Sequence, residues 1–184
     1  MLNNLKKIIK KKITLETPEL IFSGDENGHQ NLNHSKILSF GDDNPDKTFY
    51  VIKRTPGTGL FSNVVFVLNH LVIAEKFGFI PVIDMANYKT IYNEKKKIFN
   101  TNNSWEYYFN KVSKYSLKEV YNSKKVIITS DKFFNFFEYD MESNIFKVVL
   151  NKYLKVKCKF NNIFEKIYKK NFGIKTLGVH FRGT

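Results

Sequence analysis

The middle of the chain alternates between two hydrophobic periods. TFYVIK at 48–53 is β-branched and aromatic and predicts a strand. After PGTG breaks that pattern, apolar residues recur at helical spacing up to Gly78, which is a suitable C-cap, while Ser62 or Asn63 is the predicted N-cap. FIPVID at 79–84 predicts a second buried strand. Together these segments predict a right-handed parallel strand–helix–strand crossover.

Further alternation follows toward the end of the chain. Residues 87–122 are aromatic and polar and are predicted to be mostly helical, and KVIIT at 125–129 predicts a strand. Apolar residues at spacings of three and four predict helices over 144–154 and 161–171, and TLGVHF at 176–181 predicts a last strand. Alternating strands and helices predict an α/β fold, a Rossmann-like parallel sheet with helices on both faces.

The N-terminal segment has a different character. Residues 1–13 predict a basic amphipathic helix, which either lies on an anionic membrane surface or is an ordinary surface helix. Residues 23–47 are rich in Gly, Asn, Asp and His and predict an irregular connector. His29 and His34 in this connector have no third ligand at metal-binding spacing, so no metal site is expected.

Composition limits the class of protein. Of the 184 residues, 42% are apolar and 16% aromatic, enough for a core, so wholesale disorder is excluded. A single cysteine, Cys158, excludes a disulfide within the chain and fits a reducing compartment. No apolar run approaches the roughly 20 residues that span a bilayer, and no signal-peptide pattern is present. A cytoplasmic location is therefore expected.

The net charge of +13 leaves two interpretations open. Such an excess attracts phosphates, nucleic acid or an anionic membrane. Lys, Asn, Ile, Phe and Tyr are also abundant together, as in proteins encoded by AT-rich DNA, and this bias alone produces a basic chain.

The first candidate site is GTGLFSN at 57–63. Glycines after a strand allow a tight turn and close approach of the backbone to a ligand. The N–H groups at the start of the following helix can hold a phosphate or a sugar hydroxyl. The segment matches neither the Walker loop nor the dinucleotide GxGxxG pattern. A purely structural turn is the alternative.

The second candidate site is HFRGT at 180–184. His180 and Arg182 alternate across Phe181 and so share one face of the predicted strand, at its carboxyl end, where open parallel sheets bind ligands. A buried structural histidine beside a solvated arginine is the alternative. Only two of the 30 basic residues are arginines, Arg54 and Arg182. Each lies in or beside a candidate site, and a guanidinium grips phosphate oxygens bidentately, which an ammonium cannot do.

These two motifs resemble the fucosyltransferase superfamily, which includes the α-1,2-, α-1,6- and protein O-fucosyltransferases. The segment at 57–84 is similar to the opening Gly-rich loop and helix of that family, and GVHFRGT at 178–184 is similar to its His-x-Arg motif. NSWEYYF at 103–109 is similar to a stretch of bacterial members. The similarity runs in order over about residues 48–184.

The resemblance implies a GT-B-like fold and an inverting transfer of fucose from GDP-fucose to a glycan hydroxyl, with no metal or other cofactor. It implies that Arg182 holds the donor diphosphate, that His180 shapes the same pocket, and that the Gly-rich loop contributes donor contacts. The implied catalytic residues are Arg182 and His180, and the implied donor-binding residues are Gly57, Gly59, Ser62, Asn63 and Arg182.

Two features depart from the family pattern. The loop reads GLFSN rather than the commoner GRFGN or GLGNQ, and the Asp that usually completes His-x-Arg is not present. The resemblance implies that residues 48–175 form the N-terminal α/β domain and that 176–184 begin a nucleotide-sugar-binding domain, so the chain is expected to be an N-terminal part with little activity of its own. Residues 1–47 would be the basic helix and connector.

Partners and competing functions follow from the same residues. The expected partners are the nucleotide-sugar donor and a glycan or lipid-linked glycan acceptor, with peripheral membrane contact through 1–13 at the inner membrane face.

Asp84 is a candidate general base, or else it caps a turn. Trp105, Tyr107, Tyr108 and Phe109 could stack on acceptor sugars, or else they pack in the core. The alternative function is a non-catalytic basic module that binds nucleic acid or anionic membrane, although no nucleic-acid motif is present. A different donor sugar is the third possibility.

Overall fold

A computed structural model describes residues 13–14, 37–129 and 145–172. The five strands of this part of the chain are β1 (Ile13–Thr14), β2 (Ile37–Ser39), β3 (Asp43–Ile52), β4 (Ile80–Ile83) and β5 (Ser123–Ile128). The helices are α1 (Leu60–Phe77), α2 (Trp105–Tyr108), α3 (Leu117–Val120), α4 (Ile145–Tyr153) and α5 (Cys158–Asn171). The protein is a mixed α/β fold, as predicted.

The strands form one open sheet in the order β1-β2-β5-β3-β4. β3 is parallel to both β4 and β5, which confirms the predicted parallel crossover from β3 through α1 to β4. β2 is antiparallel to β5, and β1 is antiparallel to β2. The prediction of a wholly parallel sheet is therefore wrong at this edge.

The reversal at β2 has a simple geometric cause. The connection from β2 to β3 passes the start of β5, where Phe40 N donates to Ser123 O (3.1 Å) and Asp43 N donates to Asn122 O (3.0 Å). A Cβ on Gly41 would lie only 2.4 Å from the Asn122 carbonyl oxygen, so the crossing depends on glycine. A connection this short cannot return the chain for a parallel pairing, which needs a dozen or more residues.

The prediction of an irregular connector over 23–47 is wrong where β2 and the first half of β3 lie within it. Asp43–Lys47 are poor strand formers by composition. Pairing with β5 compensates for this low strand propensity, because Asp43 lies opposite Ser123 and the Asn44 amide donates to Ser123 Oγ at 3.1 Å. The domain boundaries at 47 and 175 stay predictions.

Helix α1 is the core helix. It begins after Gly59, so the prediction of Ser62 or Asn63 as N-cap is wrong: both residues lie inside the helix. Its predicted end is confirmed, since Gly78 has φ of 66° and donates to the carbonyls of Ala74 and Glu75. By length and composition alone α1 could cross a membrane, but 61% of it is buried inside the protein, as expected for a core helix.

Both faces of the sheet are covered. Alternate residues of β3 point in opposite directions, so Tyr50 and Ile52 pack with α1 and α4, while Phe49 and Val51 face the other way. The second face is covered by the segment around α3, with Val120 and Tyr121 buried against it. Flanking helices therefore lie on both faces, although α3 has only four residues.

The prediction that 87–122 is mostly helical is wrong, because this part contains only the four-residue helices α2 and α3. Its polar side chains bond to the backbone instead: the Asn93 amide donates to the carbonyls of Met85 (2.6 Å) and Asn102 (2.8 Å). Such bonds compete with helix formation.

Of the other predicted elements, four are confirmed, one is wrong at its last residue and one lies outside the described residues. The strands over 79–84 and 125–129 and the helices over 144–154 and 161–171 are confirmed as β4, β5, α4 and α5. Ile13, predicted as the end of a helix, lies in β1 instead. Residues 1–12 and the predicted strand at 176–181 lie outside the described residues.

Candidate functional site

The candidate site lies where β3, β4 and β5 end. β3 is flanked by β4 on one side and β5 on the other, both later in the sequence, so the strand order reverses at β3. In open α/β sheets, ligands bind outside the carboxyl ends of the strands at such a switch point. The Gly-rich loop follows β3 directly and therefore lies at this position.

Asn63 fixes the shape of the loop. Its Oδ1 accepts from Thr58 N (3.1 Å) and its Nδ2 donates to Thr58 O (3.2 Å), so one buried side chain holds both polar atoms of one residue's backbone. Gly57 has φ of 76°, and a Cβ there would lie 3.0 Å from both amide atoms of Asn63. Gly57 is thus required by backbone conformation and by space together. Asn63 positions the loop from within the helix.

The next turn presents backbone donors to solvent. Gly59 is the N-cap of α1 with φ of −53°, a conformation open to any residue, and nothing lies within 4 Å of a Cβ built there. No side chain caps the helix and no acidic residue lies in its first turn. Ser62 is exposed on that turn. The positive end of the α1 dipole therefore has neither a capping side chain nor an acidic residue in its first turn, an arrangement suited to an anion.

Arg54 adds a full positive charge beside the loop. Its Nη2 donates to Thr58 Oγ1 at 3.2 Å, and its Cζ lies 4.6 Å from the centroid of the Phe66 ring. Stacking and this hydrogen bond fix the guanidinium against the first turns of α1. The sequence indicated that Arg54 leads into the loop, but its packing on Phe66 depends on the fold.

His70 lies beneath this arginine. It is 1% exposed, and its Nδ1 lies 2.9 Å from the Tyr50 hydroxyl. Burial, with a further contribution from Arg54, lowers the pKa of His70 to about 3, and burial raises the pKa of Tyr50. His70 is therefore neutral at pH 7, and the positive charge at this corner comes from Arg54.

Asp84 ends β4 and is fully buried. Its Oδ1 accepts from the backbone N–H groups of Ala86 (3.1 Å) and Asn87 (2.8 Å), and its Oδ2 accepts from Asn87 Nδ2 (2.9 Å) and the Tyr121 hydroxyl (2.7 Å). Burial and the adjacent Asp84 raise the pKa of Tyr121. This arrangement favours the alternative that Asp84 caps a turn.

The aromatic stretch at 105–109 divides between core and cleft. Trp105 and Tyr107 are each 4% exposed, which favours core packing for both. Tyr108 and Phe109 are half-buried and line a cleft beside the start of α1. That cleft holds about 260 Å³ of empty space, including its open mouth. Tyr92 lines the same cleft.

Two further contacts at this edge were missed in the sequence. The Lys53 ammonium lies 5.1 Å from the centroid of the Tyr88 ring, and Lys53 N donates to Thr129 Oγ1 at 3.0 Å. The second bond joins the residues that follow β3 and β5. No sequence motif links Lys53 to Thr129, which lie 76 residues apart. The contact follows from the pairing of β3 with β5, which places the ends of these two parallel strands side by side.

The second predicted motif cannot be placed in this geometry. His180 and Arg182 lie outside the described residues, so their roles stay predictions. Among the residues that the structure describes, no group of three or more His, Cys, Asp or Glu side chains could hold a metal ion. Comparisons of the chain with protein-family models, with curated proteins and with solved structures found no match.

Proposed function

We propose that the protein is a glycosyltransferase of the fucosyltransferase type, with a GT-B-like fold, that transfers a sugar from a nucleotide-sugar donor to a glycan hydroxyl. One observation carries the proposal: the loop after β3 combines an uncapped helix N-terminus with a fixed guanidinium at the switch point of the sheet. Each of these features favours a ligand that carries phosphate.

The proposed chemistry assigns the loop to the leaving group. During transfer, the acceptor oxygen forms a bond to the sugar's anomeric carbon while the bond between that carbon and the diphosphate breaks, and negative charge develops on the departing nucleoside diphosphate. The α1 N-terminus and Arg54 would stabilise that charge, because both are already oriented and need no rearrangement. Arg182, by resemblance, would grip the same diphosphate from the second motif. Fucose as the sugar and GDP as the nucleotide rest on the resemblance alone.

The acceptor hydroxyl must lose a proton in this reaction. Asp84 is not proposed as the base, because its carboxylate already accepts four hydrogen bonds within its own turn and from Tyr121. The half-buried rings of Tyr92, Tyr108 and Phe109 line the cleft beside the start of α1, which is the proposed location of the acceptor.

Calorimetric titration tests the proposal. The protein expressed from its complete reading frame would be titrated with GDP, GDP-fucose and UDP. We expect GDP and GDP-fucose to bind, UDP to bind at least about tenfold more weakly, and Arg54→Lys or Arg182→Lys to weaken GDP binding at least about tenfold, because a bidentate contact becomes a single one. Lys118→Ala is the control, since Lys118 is an exposed cation in α3, which precedes β5 and so lies toward the other end of the sheet.

Two outcomes would contradict the proposal. A folded protein that binds no nucleotide would exclude a nucleotide-sugar enzyme. Equal weakening in Lys118→Ala and Arg54→Lys would show that the loss of binding is not specific to the guanidinium beside the loop. In either case the salt dependence of nucleic-acid binding would then test the basic-module alternative.

A further inference from the structure

Helix α5 is the least buried of the described helices. None of the residues Cys158–Asn171 is buried. Four of its large apolar side chains are therefore in contact with solvent. Ile163 is 46% exposed, Phe164 62%, Ile167 48% and Tyr168 48%. A cluster of this kind on a single helix differs from the scattered apolar residues that are normal on protein surfaces, and it indicates a binding surface.

The apolar residues of α5, together with Phe172 directly after it, form a continuous stripe. Phe164, Tyr168 and Phe172 stack in sequence, with ring centroids 6.0 Å and then 5.4 Å apart. Ile163 and Ile167 are spaced by four residues and lie one position before Phe164 and Tyr168, so they border the rings on the helix surface. We call these five residues the α5 stripe.

The start of α5 is fixed to the body of the protein, which holds the stripe outward. Lys157 N donates to Tyr108 O at 3.0 Å, and the Phe160 ring contacts the rings of Phe99 and Tyr108. The ammonium groups of Lys157 and Lys159 lie 5.4 Å and 4.7 Å from the Phe99 ring centroid. The helix is therefore anchored at its first turn, while the stripe beyond it is exposed.

Positive charge is concentrated around the stripe. Helix α5 contains four lysines and one acidic residue, Glu165, which lies 3.8 Å from Lys169 Nζ, so the helix contributes +3 of the chain's +13. Lys166 and Lys170 fall on the helix surface beside Ile163 and Ile167. A second copy of the chain would bring two such clusters together, and their repulsion disfavours self-association through this face.

We propose that α5 docks on the surface of an anionic lipid membrane. The α5 stripe would enter the boundary between headgroups and acyl chains, and the neighbouring lysines would contact anionic headgroups. An aromatic and aliphatic face bordered by lysines is the pattern of helices that lie in this boundary. Electrostatic attraction and apolar burial then act together, which distinguishes a membrane from a purely charged partner. This proposal does not depend on the proposed enzymatic function.

Vesicle co-sedimentation of the full chain tests it. Vesicles of phosphatidylcholine alone would be compared with vesicles of phosphatidylcholine and phosphatidylglycerol at about three to one. We expect at least about tenfold stronger partitioning onto the anionic vesicles, and a gradual loss of binding as salt is raised. The double variant Phe164→Ser/Ile167→Ser should reduce binding to anionic vesicles at least about tenfold, because it removes apolar burial from the stripe.

Charge is tested with two matched triple variants. Lys166→Glu/Lys169→Glu/Lys170→Glu should lower vesicle binding at least about tenfold. Lys95→Glu/Lys96→Glu/Lys97→Glu makes the same change in net charge on three exposed lysines outside α5 and should leave binding within about twofold. All of these side chains are exposed, so circular dichroism should show the native fold in each variant.

Four results would overturn the proposal. Absence of binding to anionic vesicles would do so directly, and so would equal losses in the two lysine variants. Binding of poly(U), but not of vesicles, through Lys166, Lys169 and Lys170 would assign the face to nucleic acid. A dimer that forms without vesicle binding and is lost in Phe164→Ser/Ile167→Ser would assign it to a second copy.

Discussion

Acid should destabilise the protein through one buried histidine. His70 is 1% exposed, and its pKa in the folded protein is about 3, whereas an unfolded histidine titrates near 6.5. At pH 7 both states are mostly neutral. As the pH falls below about 6.5, the unfolded chain binds a proton and the folded protein does not, so the free energy of unfolding decreases. This loss continues down to about pH 3, where the folded state also becomes protonated.

The size of the effect follows from the two pKa values. Well below pH 6.5, the slope approaches about 1.4 kcal/mol per pH unit for a single group. Between pH 7 and pH 5, His70 alone should therefore reduce the free energy of unfolding by about 2 kcal/mol. Glu75, whose pKa is lowered by its hydrogen bonds to Lys152 and Tyr153, loses its contribution only at lower pH, because its unfolded pKa is 4.5.

Urea unfolding at pH 7, 6 and 5 measures the effect. The chain contains a single tryptophan, and Trp105 is 4% exposed, so its fluorescence should report loss of the core. The comparison is His70→Asn, in which the amide oxygen can still accept from the Tyr50 hydroxyl but cannot be protonated in this range. We expect the variant to be less stable at pH 7 and to lose about 2 kcal/mol less than the parent between pH 7 and pH 5.

The difference between the two proteins isolates His70. His29, His34 and His180 are common to both and cancel in the comparison. If the parent and His70→Asn lose the same free energy over this range, burial of a neutral His70 is not the source of acid sensitivity. The assignment of Arg54 as the charge at this corner of the site would then need to be revised.

Three further predictions concern positions where one atom is critical. Gly57→Ala should reduce stability by about 2 kcal/mol, because Gly57 has φ of 76° and an added Cβ would contact the Asn63 amide. Gly59→Ala is the control and should cost less than about 1 kcal/mol. Equal losses of stability in urea titrations of the two variants would contradict the described loop. Gly41→Ala should cost about 3 kcal/mol or more by the same measurement, because its Cβ would meet a backbone oxygen at 2.4 Å, and a neutral result would exclude the close crossing over β5. Tyr121→Phe should lower stability by about 1–3 kcal/mol in thermal unfolding, because Asp84 loses a buried donor, and an unchanged melting temperature would show that this bond contributes nothing.

The sequence was most informative where hydrophobic period and termination signals agreed. The strand at 48–53, the helix ending at Gly78 and the strand at 79–84 all combine a clear period with a breaker, and the structure has all three. The segment at 87–122 has neither, and its Asn and Thr side chains take backbone bonds that a helix would need. The start of β3 was missed because Asp43–Lys47 form a strand only through their neighbour.

The candidate site was only partly predictable for a similar reason. Glycine at position 57 followed from the motif, and its positive φ agrees with it. Asn63 makes two hydrogen bonds to the backbone of Thr58 and so joins the helix to the loop before it. The sequence predicted Asn63 as an N-cap, and nothing in that pattern indicates that its side chain bonds to the loop instead. Arg54 was noticed for its rarity, but its stacking on Phe66 requires the curvature of the loop between them.

The way Asn63 holds the loop has a consequence for how this protein can change over evolutionary time. The amide of Asn63 makes both side-chain hydrogen bonds to the Thr58 backbone of the loop, while the sheet beneath it is held by backbone bonds that any sequence can make. A single nucleotide substitution in that codon could therefore change the shape of the loop and leave a folded domain behind. Selection can thus act on the shape of the loop and on the persistence of the fold almost separately.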